Sequence, residues 1–104
     1  MKKVIDGKVY NTETATEIGH YWNGLSDRDF NHLSETLYKT AKGNYFLHGE
    51  GGPMTQYAHS CGDNSWSGGV RIIPLTREEA FDWAQESLSE EVVFSEFSDL
   101  IEEA

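Results

Sequence analysis

From Glu78 onward the chain carries ten acidic residues (Glu78, Glu79, Asp82, Glu86, Glu90, Glu91, Glu96, Asp99, Glu102 and Glu103) and no lysine or arginine. No other feature limits the fold so strongly. A carboxylate is costly to bury unpaired, so an element built from these residues can bury one side only and must keep the other in water. The apolar residues are spaced to allow this. Thr76-Arg-Glu-Glu79 is a capping box, in which Thr76 caps the first turn and Glu79 reaches back to the Thr76 amide. Beyond it Ala80, Phe81, Trp83, Ala84 and Leu88 fall on one broad side of a helix, while Glu78, Asp82 and Glu86 form a row at i, i+4 spacing on another. Ser89 can cap a second helix, where Val93, Phe97, Leu100 and Ile101 recur at helical spacing with acids all round them. The pattern predicts two amphipathic helices lying on an apolar surface that the preceding residues must supply.

Those residues read as short strands. Lys3 to Tyr10 is a pair of β-prone runs around Asp6-Gly7, a two-residue hairpin signal because a type I′ turn needs φ > 0 at both central positions. Asn11 to Ile18 offers a cap residue and helix formers, and a short helix ending at Gly19 is expected there. Residues 20–34 carry turn residues and scattered aromatics and are expected to be irregular. Glu35 to Gly49 reads as a second hairpin through Ala41-Lys42-Gly43, and Val70 to Leu75 as a strand in which Pro74 marks an edge or an end. The expectation is one α+β domain over residues 1–104. Its small antiparallel sheet (hairpins near 3–10 and 35–49, strand 70–75) is covered by two C-terminal amphipathic helices.

Charge limits the partners. Eighteen acids against eight bases give −10, and the ten acids from Glu78 onward leave the first 77 residues balanced. Direct binding to DNA, RNA or an anionic membrane is disfavoured, because phosphate binding needs Lys or Arg to release counterions; a basic protein partner is favoured. No apolar run approaches membrane-spanning length, and MKKVIDGKVY lacks the apolar core of a signal peptide. One cysteine cannot form an internal disulfide, which fits a reducing cytoplasm.

Residues 48–69, HGEGGPMTQYAHSCGDNSWSGG, hold the chain's chemically suggestive side chains. A phosphate cradle is disfavoured. Met54 stands where G-x-G-x-x-G needs its last glycine, no Lys-Ser/Thr pair follows, Pro53 lacks an amide and Glu50 would repel an anion. His48, His59 and Cys61, with Glu50 or Asp63, are candidate metal ligands, but their spacing matches neither structural zinc patterns nor H-E-x-x-H. Cys61 with His20, His32, His48 or His59 is the weakest form of a nucleophile–base signal. The reading is structural: glycines that allow φ > 0 and close packing, with Tyr57 and Trp66 anchoring the loop. No catalytic residue, metal or cofactor is expected.

The acidic helices are the functional candidate. Most acidic helix faces are merely solvated, but i, i+4 acid–base pairs usually stabilise an exposed helix and none is available here. A row at this spacing rises about 6 Å per carboxylate, so it can imitate a nucleic-acid backbone before a basic groove. The candidate partner-binding residues are Glu78, Asp82, Glu86, Glu90, Glu91, Glu96 and Asp99.

Four segments, Lys3–Ala15, Glu35–Lys39, Tyr45–Met54 and Ile73–Ala80, resemble a family of small, mostly uncharacterised proteins encoded by bacterial phages, plasmids and conjugative elements. As a class, small acidic proteins of such elements are similar to anti-CRISPR and anti-restriction proteins. The resemblance itself implies a genomic setting; the analogy of size, charge and setting, with no shared motif, adds the expectation of a non-enzymatic inhibitor acting in the bacterial cytoplasm on a CRISPR effector or other defence nuclease. A second expectation is an interaction module acting in replication or transfer, through exposed Trp22, Trp66 or Phe94. Either a monomer or a dimer is compatible with the sequence.

Overall fold

The computed structural model describes residues Met1–Ala104. It is an α+β fold of antiparallel strands with two C-terminal helices. Strands β1 (Lys2–Ile5) and β2 (Lys8–Asn11) form the expected hairpin, with φ of 50° at Asp6 and 77° at Gly7. Then come β3 (Thr16–Trp22), β4 (Leu33–Lys39) and β5 (Tyr45–Gly51), a two-residue pair β6 (His59–Ser60) and β7 (Trp66–Ser67), and β8 (Gly69–Leu75). The main sheet has the order β3-β4-β5-β8, antiparallel throughout. Pro74 lies on β8 at the edge of that sheet, where a missing ladder donor is tolerated.

Residues 11–18 depart from the expected helix. The Asn11 side chain accepts from the Glu13 amide and its carbonyl from the Ala15 amide, both at 3.0 Å, which closes a single turn. From Thr16 the chain is extended, because Tyr21 and Trp22 pair across β4 and Ile18, at the bulge between Glu17 and Gly19, packs on the core, which together outweigh what Thr-Glu-Thr gains from helix. Gly19 ends no helix. It faces Leu37, and an added Cβ would lie 2.6 Å from Leu88 Cδ1, so its bare surface is where Leu88 rests. The segment expected to be irregular contributes its first residues to β3 and its last to β4, leaving only the connection between Trp22 and Leu33 without regular structure. The second hairpin outgrows its expected limits, and β6 and β7 lie unforeseen inside the glycine-rich stretch.

The strand period of two divides the sheet into two faces. Leu37, Tyr45 and Leu47 meet Ala80, Ala84, Val93 and Phe97 on one face, with Ile73, Leu75, Trp83 and Leu88 around them. Tyr10, Phe46 and Ile72 form a smaller cluster on the other, where the β1–β2 hairpin lies. There Tyr38 stacks on Phe46 at 5.2 Å and Tyr10 meets its edge at 5.4 Å. Leu37, Phe46 and Phe97 are completely inaccessible to solvent. Burying each contributes roughly 2–3 kcal/mol.

Helix α1 spans Arg77–Ser87 and opens on the expected capping box. The Glu79 amide donates to Thr76 Oγ1 at 3.1 Å, and the Thr76 amide to Glu79 Oε1 at 2.8 Å. Helix α2 spans Glu90–Phe97. Ser89 stands at its N-cap but its side chain makes no capping bond. A single 3-10 turn, Ser98–Leu100, replaces the helix beyond Phe97, so Leu100 and Ile101 reach the core from outside it. No helix is long and apolar enough to cross a membrane.

Candidate functional site

The inner face of β4 carries two charges, one on either side of Leu37. Glu35 and Lys39 share that face by the strand alternation, and each is met by a helix. Glu35 is 6 % exposed. Its Oε2 accepts from Tyr57 Oη at 2.5 Å and Gln56 Nε2 at 3.0 Å, and its Oε1 from Trp83 Nε1 at 3.0 Å. One carboxylate therefore ties the glycine-rich stretch and α1 to the sheet. Arg71 lies over the Tyr57 ring, 5.4 Å from its centre, and donates to the Gln56 carbonyl at 3.2 Å. Burial first, then the bond to Glu35, pushes the Tyr57 hydroxyl far above its ordinary range. Sequence reading passed over Glu35. The available signal was an acid at the alternate position between Leu33 and Leu37.

Lys39 makes the second tie. It pairs with Glu96 of α2 at 2.9 Å, and Glu96 also accepts from Tyr45 Oη at 2.6 Å. Burial alone would raise the Glu96 carboxyl, but the Tyr45 hydroxyl and the Lys39 ammonium outweigh it and hold the group below its ordinary value. Arg77, at the start of α1, grips Asp99 through both guanidinium nitrogens and holds that carboxyl low as well.

The glycine-rich stretch is explained by this geometry. At Gly49 a Cβ would lie 2.0 Å from Tyr57 Oη, so only a glycine lets the phenol pass to Glu35. Gly52, Gly68 and Gly69 likewise press against backbone carbonyls. Within residues 48–69 the only glycine with positive φ is Gly62, so close approach rather than left-handed backbone accounts for the others. Tyr57 is the expected anchor. Trp66 is not, being 60 % exposed. His48 is half-buried on the sheet, His59 and Cys61 are exposed, and no three His, Cys, Asp or Glu side chains converge as metal ligands would. A shallow cleft of about 370 Å³ lies beside Gly51, Gly52, Gly68 and Gly69, with Asp27, His32 and Glu50 around it. His32 donates Nδ1–H to the Asp29 carbonyl at 2.8 Å, which fixes its ring.

The seven candidate carboxylates thus fall into two groups. Glu96 and Asp99 are committed to Lys39, Tyr45 and Arg77 of the same chain, Glu96 part-buried and Asp99 at the surface. Glu78, Asp82, Glu86, Glu90 and Glu91 are exposed and form no ion pair. Glu78 stands in the first turn of α1, and Glu90 and Glu91 in that of α2, where the helix dipole favours them. Glu86 has no such support. It sits in the last turn of α1, one turn after Asp82, and that turn holds no base. Between the helices and the 98–102 segment runs an open groove of about 560 Å³, lined chiefly by apolar side chains. Comparison with protein-family models, with curated proteins and with solved structures finds no match to this chain.

Proposed function

We propose that the protein binds a basic protein surface through the free carboxylates of α1 and α2, and in doing so blocks a nuclease of a bacterial defence system, such as a CRISPR effector. The observation that supports this is the division of the acids. Lys39 and Arg77 are already paired with Glu96 and Asp99, which leaves Glu78, Asp82, Glu86, Glu90 and Glu91 exposed on the two helices and without an ion pair. Such a surface attracts a basic groove at long range and falls silent in salt. The choice of a defence nuclease rests on the resemblance of the sequence to small proteins of mobile elements.

The test is a cleavage assay on a panel of CRISPR effectors and restriction nucleases, with the wild-type protein and the triple variant Glu78→Lys, Asp82→Lys, Glu86→Lys. Inhibition by the wild type that the variant loses, and that weakens as salt rises, is the expected result. Equal inhibition by the variant overturns the role of this face. The reading as an interaction module of replication or transfer stands second. Trp22 lies on the sheet face away from the helices and Phe94 on α2, so these aromatics form no single patch.

A further inference from the structure

We infer that the groove between α1, α2 and the 98–102 segment is the docking site for an amphipathic, basic α-helix of the partner. This deepens the reading above and rests on it: the carboxylates bring the partner in, and the groove takes an apolar ridge from it. The apolar part of the lining is Phe81, Leu88, Val93, Phe94, Leu100 and Ile101, with Gln85 among them. Phe94, in the middle of α2, is 59 % exposed and stands in this lining beside Val93 of the core. Glu90 and Glu102 stand in the wall, and no lysine or arginine lines the groove.

The chemistry selects one occupant. An extended peptide needs a sheet edge for its backbone hydrogen bonds, but this groove is walled largely by helices whose own backbones are already paired. The occupant must therefore satisfy its own backbone, as a helix does, and present side chains at i, i+3/i+4 and i+7 spacing. A second copy of this chain would set Glu90 and Glu102 against the same acids, which repel, and an anionic lipid or nucleotide is disfavoured for the same reason. Lysines or arginines flanking an apolar stripe match both the walls and the floor. A volume of about 560 Å³ suits several such anchors.

The probe is a fluorescent helical peptide of about 18 residues, with leucines at i, i+3, i+4 and i+7 and lysines on the flanks. Its control is a scrambled peptide of the same composition. Anisotropy is read at about 50 mM and about 0.5 M salt. The patterned peptide should bind the wild type at low salt, about tenfold more tightly than the scrambled one, and Phe94→Ala should remove that difference. Glu90→Gln should weaken both peptides and flatten the salt dependence. Because Phe94 is largely exposed, its truncation leaves the core in place, which circular dichroism checks. Equal binding of both peptides, or equal binding by Phe94→Ala, overturns the groove while leaving the carboxylate face intact. Failure of the patterned peptide to bind also overturns the groove, and the nuclease assay with the triple reversal then judges the face alone.

Discussion

Glu35 shows how one side chain can organise several elements. A buried carboxylate without partners would unfold a small domain, and three side-chain donors, none of them cationic, prevent that here. Truncating it strands Tyr57, Gln56 and Trp83 together. We expect Glu35→Ala to lower stability by about 3 kcal/mol in urea unfolding, and Tyr57→Phe by about 1–2 kcal/mol. Gly49→Ala should match the larger loss, because the new methyl occupies the place of the Tyr57 hydroxyl. Indifference of the fold to Gly49→Ala would show that Tyr57 has another route to Glu35. Tyr57 also sets an alkaline limit. Its pKa is raised in the folded state, so its contribution is complete below pH 10 and is lost as the pH rises above that value.

At the scale of elements, the two helices are held by ties of different character. Trp83 binds α1 to Glu35 through a neutral donor, whereas Glu96 binds α2 to Lys39 and Tyr45 through a charge. Acid weakens the α2 tie through Glu96. Glu96 has a depressed pKa in the fold, so its contribution is present above 4.5 and disappears as the pH falls through the folded value. His48, lowered chiefly by burial, adds a shallower loss that begins below 6.5. Lys39→Met should flatten the acid limb below pH 5 and cost less than about 1 kcal/mol at neutral pH, since the pair is part-exposed. An unchanged limb would assign the acid sensitivity elsewhere. The helices themselves were legible in the sequence, because capping chemistry and a 3.6-residue period are local signals. The stretch around Ile18 was not, because Asn11-Thr-Glu-Thr carries helix signals that only the neighbouring strand β4 overrides. The glycines were legible as structural but for an incomplete reason. Their role depends on Tyr57 approaching from another part of the chain, and spacing alone carries no trace of that.

For the whole molecule, the net charge of −10 acts as a stress on the folded state. Self-repulsion among the exposed helix acids is relieved by screening, whereas the two ion pairs are weakened by it. Repulsion dominates, since the unpaired acids outnumber the pairs. Raising salt from about 10 mM to about 0.2 M should lift the melting midpoint by roughly 4–8 °C, equivalent to about 1 kcal/mol for a domain of this size. A midpoint that falls with salt would mean that the pairs outweigh the repulsion. The acidic surface was readable from composition. Which acids are free was not, because Glu96 and Asp99 look no different from their neighbours until Lys39 and Arg77 are placed beside them.

The ties between strand β4 and the helices have a consequence for synthesis. Glu35 waits for a donor 48 residues further along the chain, and Tyr45 for an acceptor 51 residues further. A ribosome delivering this chain releases β3, β4 and β5 before Trp83 and Glu96 emerge, so the nascent protein carries an under-partnered carboxylate and a bare apolar sheet face. Closure comes only when both helices have cleared the exit tunnel.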